Sequence, residues 1–246
     1  MRFFIEISYH GKNYHGWQIQ ENASTIQEEI DNAISLLLKK KIKTMGSGRT
    51  DTGVHAISQV AHFDYDKPID NSFLYRINSF LSSDISINSI KKVKENISAR
   101  FDAISREYIY KIHCVKSPFL NDRSLFYPKE INVSLINDAC KVLIDHSDFK
   151  TFSKVKTDVN NYNCQISRAE ITKEGYNYYF TISSDRFLRG MVRAIMGTMI
   201  QINEEKLSVE SLKDITLKKD RKYAGPSVPP HGLYLSNVLY NKEIYL

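Results

Sequence analysis

Apolar side chains in the first hundred residues recur with two spacings, one typical of strands and one of helices. Strand-like alternation covers four segments: 3–9, 41–45, 57–65 and 85–93. Helical spacing predicts a first helix with Thr25 at its N-cap and Glu28 completing a capping box. A second helix is predicted to begin at Asp70 or Asn71 and to bury one apolar face. The elements therefore follow the order β-α-β-β-α-β.

The rest of the chain repeats this order with additions. Strand-like spacing is found over four further segments: 107–114, 166–172, 176–182 and 233–239. The middle two are predicted to form a hairpin across Lys173-Glu174-Gly175. Helices are predicted from Ser134, over the strongly apolar stretch 187–200, and, as a short one, after Ser208.

The repeated order indicates an α+β protein with two ferredoxin-like, or RRM-like, β-α-β-β-α-β halves. Their antiparallel sheets are expected to pack around a central cleft. The boundary is placed near residue 104, giving halves 1–104 and 105–246, and no Pro/Gly/Ser-rich linker separates them. The polar segments 115–130 and 151–163 are predicted to be long functional or mobile loops.

Composition and charge agree with a globular protein that has a polyanionic partner. Of 246 residues, 42% are hydrophobic and 25% are charged, and the formal net charge of +6 is a weak signal by itself. The charge is uneven, because 1–104 holds 13 basic and 12 acidic side chains whereas 105–246 holds 21 and 16. The C-terminal half is therefore favoured for phosphate contacts.

Cysteine usage and hydropathy indicate a cytoplasmic protein. Cys114, Cys140 and Cys164 are odd in number and form no C-x-x-C pair, which argues against a disulfide framework and against a zinc site. The chain shows neither a signal-like apolar core before its first acid nor an apolar run of about 18 residues. A reducing compartment and no membrane partner are expected.

The strongest candidate for chemistry is a glycine-rich loop that carries a lone carboxylate, Asp51. Gly46, Gly48 and Gly53 surround it, and Arg49 stands two residues before it. A nearby guanidinium favours the ionised form of a carboxylate. A plain hairpin turn with a solvated Asp is the alternative interpretation, since turn chemistry also selects Gly, Asp and Ser.

Three other loop motifs fit less well. A P-loop requires Gly-Lys-Ser/Thr after its four-residue gap, but Val54 follows Gly53. The dinucleotide fingerprint requires a third glycine sooner and a following helix, whereas a strand follows here. Asp51-Thr52-Gly53 is the aspartic-protease tripeptide, but that chemistry needs two carboxylates sharing a proton, and no second such tripeptide occurs.

The whole loop, GSGRTDTGVHA over 46–56, resembles the signature of the TruA family of tRNA pseudouridine synthases. Five more blocks resemble the family's motifs in the expected order: YHGWQIQ (14–20), ARFDA (99–103), REYIY (106–110), FLRGMVR (187–193) and PHGLYL (230–235). The resemblance therefore covers nearly the whole chain and is far more specific than a lone glycine motif.

The resemblance implies a role for each of five residues. Asp51 would be the catalytic nucleophile or base, and Arg193 would pair with its carboxylate. Arg49 would hold the backbone of the flipped nucleotide or fill the gap that the base leaves. Tyr108 would stack on the target uracil and Leu233 would cover its other face. As plain structure, Arg193 would be a helix arginine reaching solvent, Arg49 a loop charge, and Tyr108 and Leu233 core residues.

The resemblance also implies the reaction. The enzyme would isomerise uridine to pseudouridine at positions 38, 39 and 40 of the tRNA anticodon arm, after base flipping, without metal or cofactor. It would act as a homodimer, with the catalytic loop in the N-terminal half and the base pocket and RNA contacts in the C-terminal half. A protease and a catalytically silent RNA-binding protein are the alternatives.

Three residues depart from the family pattern. Thr52 replaces a small Ala after the Asp, Ser98 replaces a His, and His231 replaces a Glu before Gly-Leu-Tyr-Leu. His231 is expected to make the rim near Leu233 more basic. Because none of the three is a predicted site residue, they bear on RNA contacts rather than on the reaction.

Overall fold

A computed structural model describes residues 1–155, 159 and 161–246. The chain forms two compact units, Met1–Ile104 with Leu235–Leu246, and Ser105–Tyr234. The predicted division into a catalytic half, 1–104, and an RNA-binding half, 105–246, stays a prediction. In the packing of the chain, Leu235–Leu246 belong with the first unit. Among the described residues, no helix is both long and apolar enough to cross a bilayer.

The first unit is an antiparallel sheet with two helices. Its elements are β1 (Arg2–Tyr9), α1 (Ile26–Leu38), β2 (Met45–Gly46), β3 (His55–Asp64), α2 (Phe73–Phe80) and β4 (Ile85–Val93). β1 lies between β4 and β3, so that Ile5 stands opposite Ile90 and Ala61. β2 pairs with β3, with Met45 opposite His62. The predicted strands 3–9, 57–65 and 85–93 are confirmed, apart from shifts of one or two residues at some ends.

The predicted strand 41–45 is wrong, since only Met45 of this segment lies in a strand. Side chains of α1 take the backbone groups that a strand would have paired. Ser35 Oγ accepts from the Ile42 N–H at 2.9 Å, and Asp31 accepts from the Thr44 N–H at 2.9 Å. The segment is therefore fixed to α1 rather than to a neighbouring strand.

The predicted helix starts are only partly right. Thr25 is the N-cap of α1, but its side chain makes no capping bond and the capping box is absent. Backbone carbonyls satisfy the first helical amides instead, because Ile26 N donates to Gly16 O at 3.2 Å and Gln27 N to Trp17 O at 3.0 Å. The N-cap of α2 is Ser72, so the predicted caps Asp70 and Asn71 are wrong.

The described residues of the second unit form four strands and three α-helices ahead of the last strand. Its elements are β5 (Ser105–His113), β6 (Leu125–Phe126), α3 (Val133–Ile144), β7 (Ile166–Glu174), β8 (Asn177–Ser184), α4 (Met191–Asn203) and α5 (Val209–Leu217), and β9 (Leu233–Leu239) follows. β8 lies between β5 and β7, antiparallel to both. β6 runs parallel to the end of β5, and α3 packs on β7.

Local backbone chemistry explains where the predictions for this unit differ. α4 begins at Met191 rather than at 187, because Gly190 at its N-cap has a left-handed φ of 72°. α3 begins at Val133, one residue before the predicted Ser134, and is capped by Asn132, whose side chain accepts from Leu135 N. The β7–β8 turn consists of Gly175 and Tyr176, because β7 extends to Glu174, so it starts two residues later and ends one residue later than predicted. Ser208 caps α5 as predicted.

The two predicted loops are partly ordered. The segment 115–130 contains a short 3₁₀ helix, Pro118–Leu120, and strand β6, which the sequence did not indicate. The segment 151–163 includes residues 156–158 and 160, which lie outside the described residues. Phe152, at its start, is fully buried.

Candidate active site

The loop between β2 and β3 carries Arg49 and Asp51, and a buried glutamine holds its first part. Gln59, on β3, has no solvent exposure. Its Oε1 accepts from Ser47 Oγ at 2.5 Å, and its Nε2 donates to Gly48 O at 2.9 Å. The two residues that precede Arg49 are therefore hydrogen-bonded to one side chain.

The middle of the loop is held at Thr50, the residue before Asp51. The Thr50 hydroxyl lies 2.8 Å from the Tyr9 hydroxyl at the end of β1, and both residues are buried. Thr50 O accepts from Trp17 N at 3.3 Å. The Thr50 side chain and carbonyl are therefore fixed by two different segments of the first unit.

A tight turn places Asp51 after this anchored residue. Val54 N donates to Asp51 O at 3.1 Å, and Gly53 has a φ of 76°, which a residue with a side chain rarely adopts. Gly53 N donates to Tyr14 O at 3.3 Å. Arg49 is exposed and Asp51 is half-buried, whereas Thr50 between them is buried. The loop thus presents the two predicted site residues from a fixed backbone.

Two sequence blocks, 14–20 and 46–56, meet at this loop. A Cβ on Gly16 would lie 2.3 Å from Thr50 O, and a Cβ on Gly46 would lie 2.5 Å from the Trp17 indole nitrogen. A Cβ on Gly48 would meet nothing within 4 Å. Close packing therefore requires glycine at 16 and 46, but not at 48.

His55 follows the turn and has a structural position. It is 1% exposed, and its Nδ1 accepts from Gly11 N at 3.0 Å. Its ring centroid lies 4.5 Å from that of His10. Because the Gly11 amide occupies Nδ1, the ring proton of neutral His55 is placed on Nε2.

Arg193 lies on α4 in the second unit, partly exposed. Its Nε donates to Val228 O at 2.7 Å, and its backbone carbonyl accepts from Val228 N at 3.2 Å. The first bond fixes one edge of the guanidinium. Together, the two bonds tie α4 to the segment that leads into Leu233. The predicted pairing of Arg193 with Asp51 stays a prediction.

Tyr108 and Leu233 both belong to the second unit. Tyr108, on β5, is half-buried, and its ring meets the Phe187 ring edge-on at 5.1 Å. Leu233 is 6% exposed and follows Gly232, whose Cβ position lies 2.7 Å from the Tyr110 ring. Tyr108, Phe187 and Leu233 thus come from three of the sequence blocks.

Tyr110 ties β5 to the segment before Leu233. It is fully buried and donates its hydroxyl proton to Pro229 O at 2.8 Å. Burial raises the pKa of Tyr110 far above its usual value, and the nearby Arg193 charge opposes that rise only in part. Tyr110 is therefore a neutral hydrogen-bond donor and has a structural position.

The environment of His231 favours a neutral imidazole. Burial lowers the pKa of His231, and the Asp122 carboxylate opposes that change as the smaller effect. A neutral histidine still lacks the negative charge of the Glu that it replaces, so the more basic rim near Leu233 stays a prediction. Lys111 is one cation of this region, with its ammonium 4.1 Å from the Tyr234 ring centroid.

The five predicted residues divide between the two units. Arg49 and Asp51 belong to the first, and Tyr108, Arg193 and Leu233 to the second. The residues that fix them, among them Gln59, Tyr9 and Tyr110, were not predicted as part of a site. The one available signal was polarity inside apolar alternation, as at Gln59 between Ile57 and Val60.

Comparison with known proteins shows the family. The family model described as tRNA pseudouridine synthase matches residues 6–102 and 139–241. A protein called tRNA pseudouridine synthase A from Parabacteroides distasonis is 44% identical over 246 residues, covering 99% of this chain and 98% of the relative. Relatives of the same name from Neorickettsia sennetsu and Exiguobacterium sibiricum are 38% and 34% identical, covering 98% and 97% of this chain and 100% and 96% of their own. The chain therefore belongs to the TruA family of tRNA pseudouridine synthases, which are isomerases.

Proposed function

We propose that this protein converts uridine to pseudouridine at positions 38, 39 and 40 of the tRNA anticodon arm, with Asp51 as its catalytic residue. The observation that carries the proposal is the anchored turn, in which Thr50 and Gly53 are both hydrogen-bonded to the rest of the unit around the half-buried Asp51. A carboxylate that must reach one reacting atom needs such a fixed backbone.

The chemistry explains why one carboxylate suffices. The bond from ribose C1′ to uracil N1 breaks and a bond from C1′ to C5 forms, while C5 loses its proton and N1 gains one, so the product is an isomer of the substrate. No electrons are gained or lost and no water is added, which leaves no task for a redox cofactor. The target base has to leave its stack first, because its reacting atoms are inaccessible there.

Residues of the second unit would complete the site. Arg193, held at Nε by Val228, would direct its Nη groups to the Asp51 carboxylate and fix its position. Tyr108 would stack on the uracil and Leu233 would cover the other face, while Arg49 would hold the nucleotide backbone. The edge-on Phe187 ring supports this role of Tyr108, because it limits the tilt of the tyrosine ring.

The same proposal covers the architecture and the partners. Two ferredoxin-like, or RRM-like, halves would face a central cleft, and the enzyme would be a cytoplasmic homodimer that binds the anticodon arm. The strand order β4-β1-β3 with β2 beside β3, and the order β5-β8-β7, support the two halves, because each matches part of a ferredoxin-like sheet.

The test is pseudouridine mapping at single-nucleotide resolution on unmodified tRNA, with no metal or nucleotide added. Wild type is expected to modify uridines 38–40, and Asp51→Asn to modify none while still binding tRNA, since phosphate contacts supply most of the affinity. Asp66→Asn, an exposed carboxylate of the same unit paired with Lys40, is the matched control and should stay active. Pseudouridine at other positions would overturn the specificity. A wild type that binds tRNA and modifies nothing would favour a silent RNA-binding protein.

A further inference from the structure

We propose that Tyr9 is a positioning residue for the reaction, acting through the hydrogen bond between its hydroxyl and that of Thr50. This inference rests on the proposed role of Asp51, the next residue along the chain. Tyr9 would not touch the substrate. It would fix the backbone from which the Asp51 carboxylate reaches the target nucleotide.

The position of Tyr9 follows from the sheet. It is the last residue of β1, and a register shift in the β1–β3 ladder places it opposite Ala56, just after the loop. Its ring packs beside Trp17, with centroids 6.3 Å apart, and only 5% of the residue is exposed. The hydroxyl therefore reaches Thr50 from a rigid strand and a packed ring.

The bond to Thr50 is buried and lies next to the reacting group. Thr50 is 7% exposed, and the two hydroxyl oxygens are 2.8 Å apart. Water is largely excluded there, so a hydroxyl that loses its partner is not readily compensated. The Thr50 carbonyl accepts from Trp17 N, so Thr50 is attached at two points, and the backbone at Thr50 keeps its position only when both bonds are present.

A loss of this bond is expected to affect turnover rather than binding. Small displacements of a reacting group are costly, and an error near 1 Å reduces rates by about 100-fold. The phosphate contacts that dominate tRNA affinity do not involve a buried tyrosine. Tyr9→Phe removes one oxygen and leaves the ring packing, so a roughly tenfold fall in kcat with an unchanged KM for tRNA is expected.

The matched control is Tyr240→Phe. Tyr240 is a buried tyrosine of the same unit, 6% exposed, and its hydroxyl donates to Ala99 O at 2.6 Å. It therefore loses a comparable hydrogen bond away from the loop. A merely structural effect would lower the melting temperature of both variants to a similar extent and leave kcat unchanged in both.

Two Thr50 variants separate positioning from packing. Thr50→Ser keeps the hydroxyl and should retain most of kcat, whereas Thr50→Val should match Tyr9→Phe. The double variant Tyr9→Phe with Thr50→Val should be no slower than either single one, because all three lose the same bond. Multiplied effects in the double variant, a change confined to KM, or full activity in Tyr9→Phe would overturn the proposal.

Amide hydrogen exchange of the loop 46–54 tests the inference without using activity. Tyr9→Phe should exchange faster there than wild type, and Tyr240→Phe should not. If wild type makes no pseudouridine, the proposed function fails, whereas an unchanged exchange rate in Tyr9→Phe refutes the positioning role alone.

Discussion

Gly46 and Gly48 stand two residues apart in the Asp51 loop, yet their surroundings differ. A Cβ at 46 would overlap the Trp17 indole, whereas a Cβ at 48 would meet no atom within 4 Å. Gly46→Ala is therefore expected to lower the free energy of unfolding by about 1–3 kcal/mol. Gly48→Ala should change it by less than about 0.5 kcal/mol. Urea denaturation measures both, and equal losses would contradict the assigned packing.

Asp31 makes the stability of the first unit depend on pH. Burial raises the pKa of its carboxyl to about 6, and hydrogen bonds from the Thr44 hydroxyl and amide oppose the rise. The folded-state pKa thus exceeds the ordinary value of about 3.9, so the folded chain binds this proton more tightly. The resulting stabilisation is present below about pH 4 and is lost as the pH rises through about 6.

Asp31→Asn should remove this dependence, because the amide keeps an oxygen for Thr44 and does not ionise. From pH 4.5 to 7.5, the free energy of unfolding of wild type should fall by about 2 kcal/mol relative to the variant. Asp138→Asn, at an exposed position of α3, controls for the loss of one charge. Parallel curves for wild type and Asp31→Asn would refute the raised pKa.

Helix caps illustrate how the elements depend on context. Thr25 is fully buried at the start of α1, and its hydroxyl has no hydrogen-bond partner within the described part of the chain. Ser208 accepts from Ser211 N and completes a capping box on α5. Thr25→Val is therefore expected to be neutral or stabilising, whereas Ser208→Ala should cost about 1 kcal/mol. Thermal unfolding of both variants tests this, and a large loss in Thr25→Val would contradict it.

Sequence spacing predicted the elements well wherever local periodicity decides them. The strands 3–9 and 85–93 and the start of α5 at Ser208 needed no information from distant residues. The strand predicted at 41–44 does not form, because amides of this segment bond to side chains of α1. The predicted start of α4 was too early, because Gly190 adopts a left-handed backbone conformation. Neither effect is visible in a hydrophobic pattern.

The candidate site also has a part that the sequence predicted and a part that it did not. A motif indicated Asp51 and Arg49, but their supports come from β1, β3 and the block 14–17. Tyr9 and Gln59 stand about 40 and 10 residues from the loop positions that they hold, and a single sequence does not record such pairings. The residues that support the site could therefore be identified only from the folded structure.

At the scale of the molecule, cations concentrate in the second unit. We define the basic cluster as residues from three adjoining segments: Lys150, Lys154, Arg186, Arg189, Lys218, Arg221 and Lys222. Lys154 N donates to Arg189 O at 2.9 Å, and the short helices Lys150–Phe152 and Arg221–Tyr223 pack together. If tRNA lies on this surface, its affinity should depend on the cluster and on salt.

The double variant Lys154→Gln with Lys222→Gln tests that dependence. The slope of log K for tRNA against log salt should become shallower by roughly 1.5 to 2, because each phosphate contact contributes close to one unit. Lys40→Gln with Lys91→Gln, in the first unit, changes the net charge equally and should alter the slope less. Filter binding over a salt series measures both, and identical slopes would place the RNA elsewhere.

The first unit is assembled from both ends of the chain. β9 lies beside β3, Leu246 N donates to Lys92 O at 3.1 Å, and Lys94 N donates to Ile244 O at 3.0 Å. During translation, β3 leaves the ribosome long before β9 is made. Until then, the edge of β3 that will pair with β9 lacks this partner. An open strand edge invites association with other chains. A chaperone that protects this edge of β3 is therefore expected to act in the interval between the synthesis of these two strands.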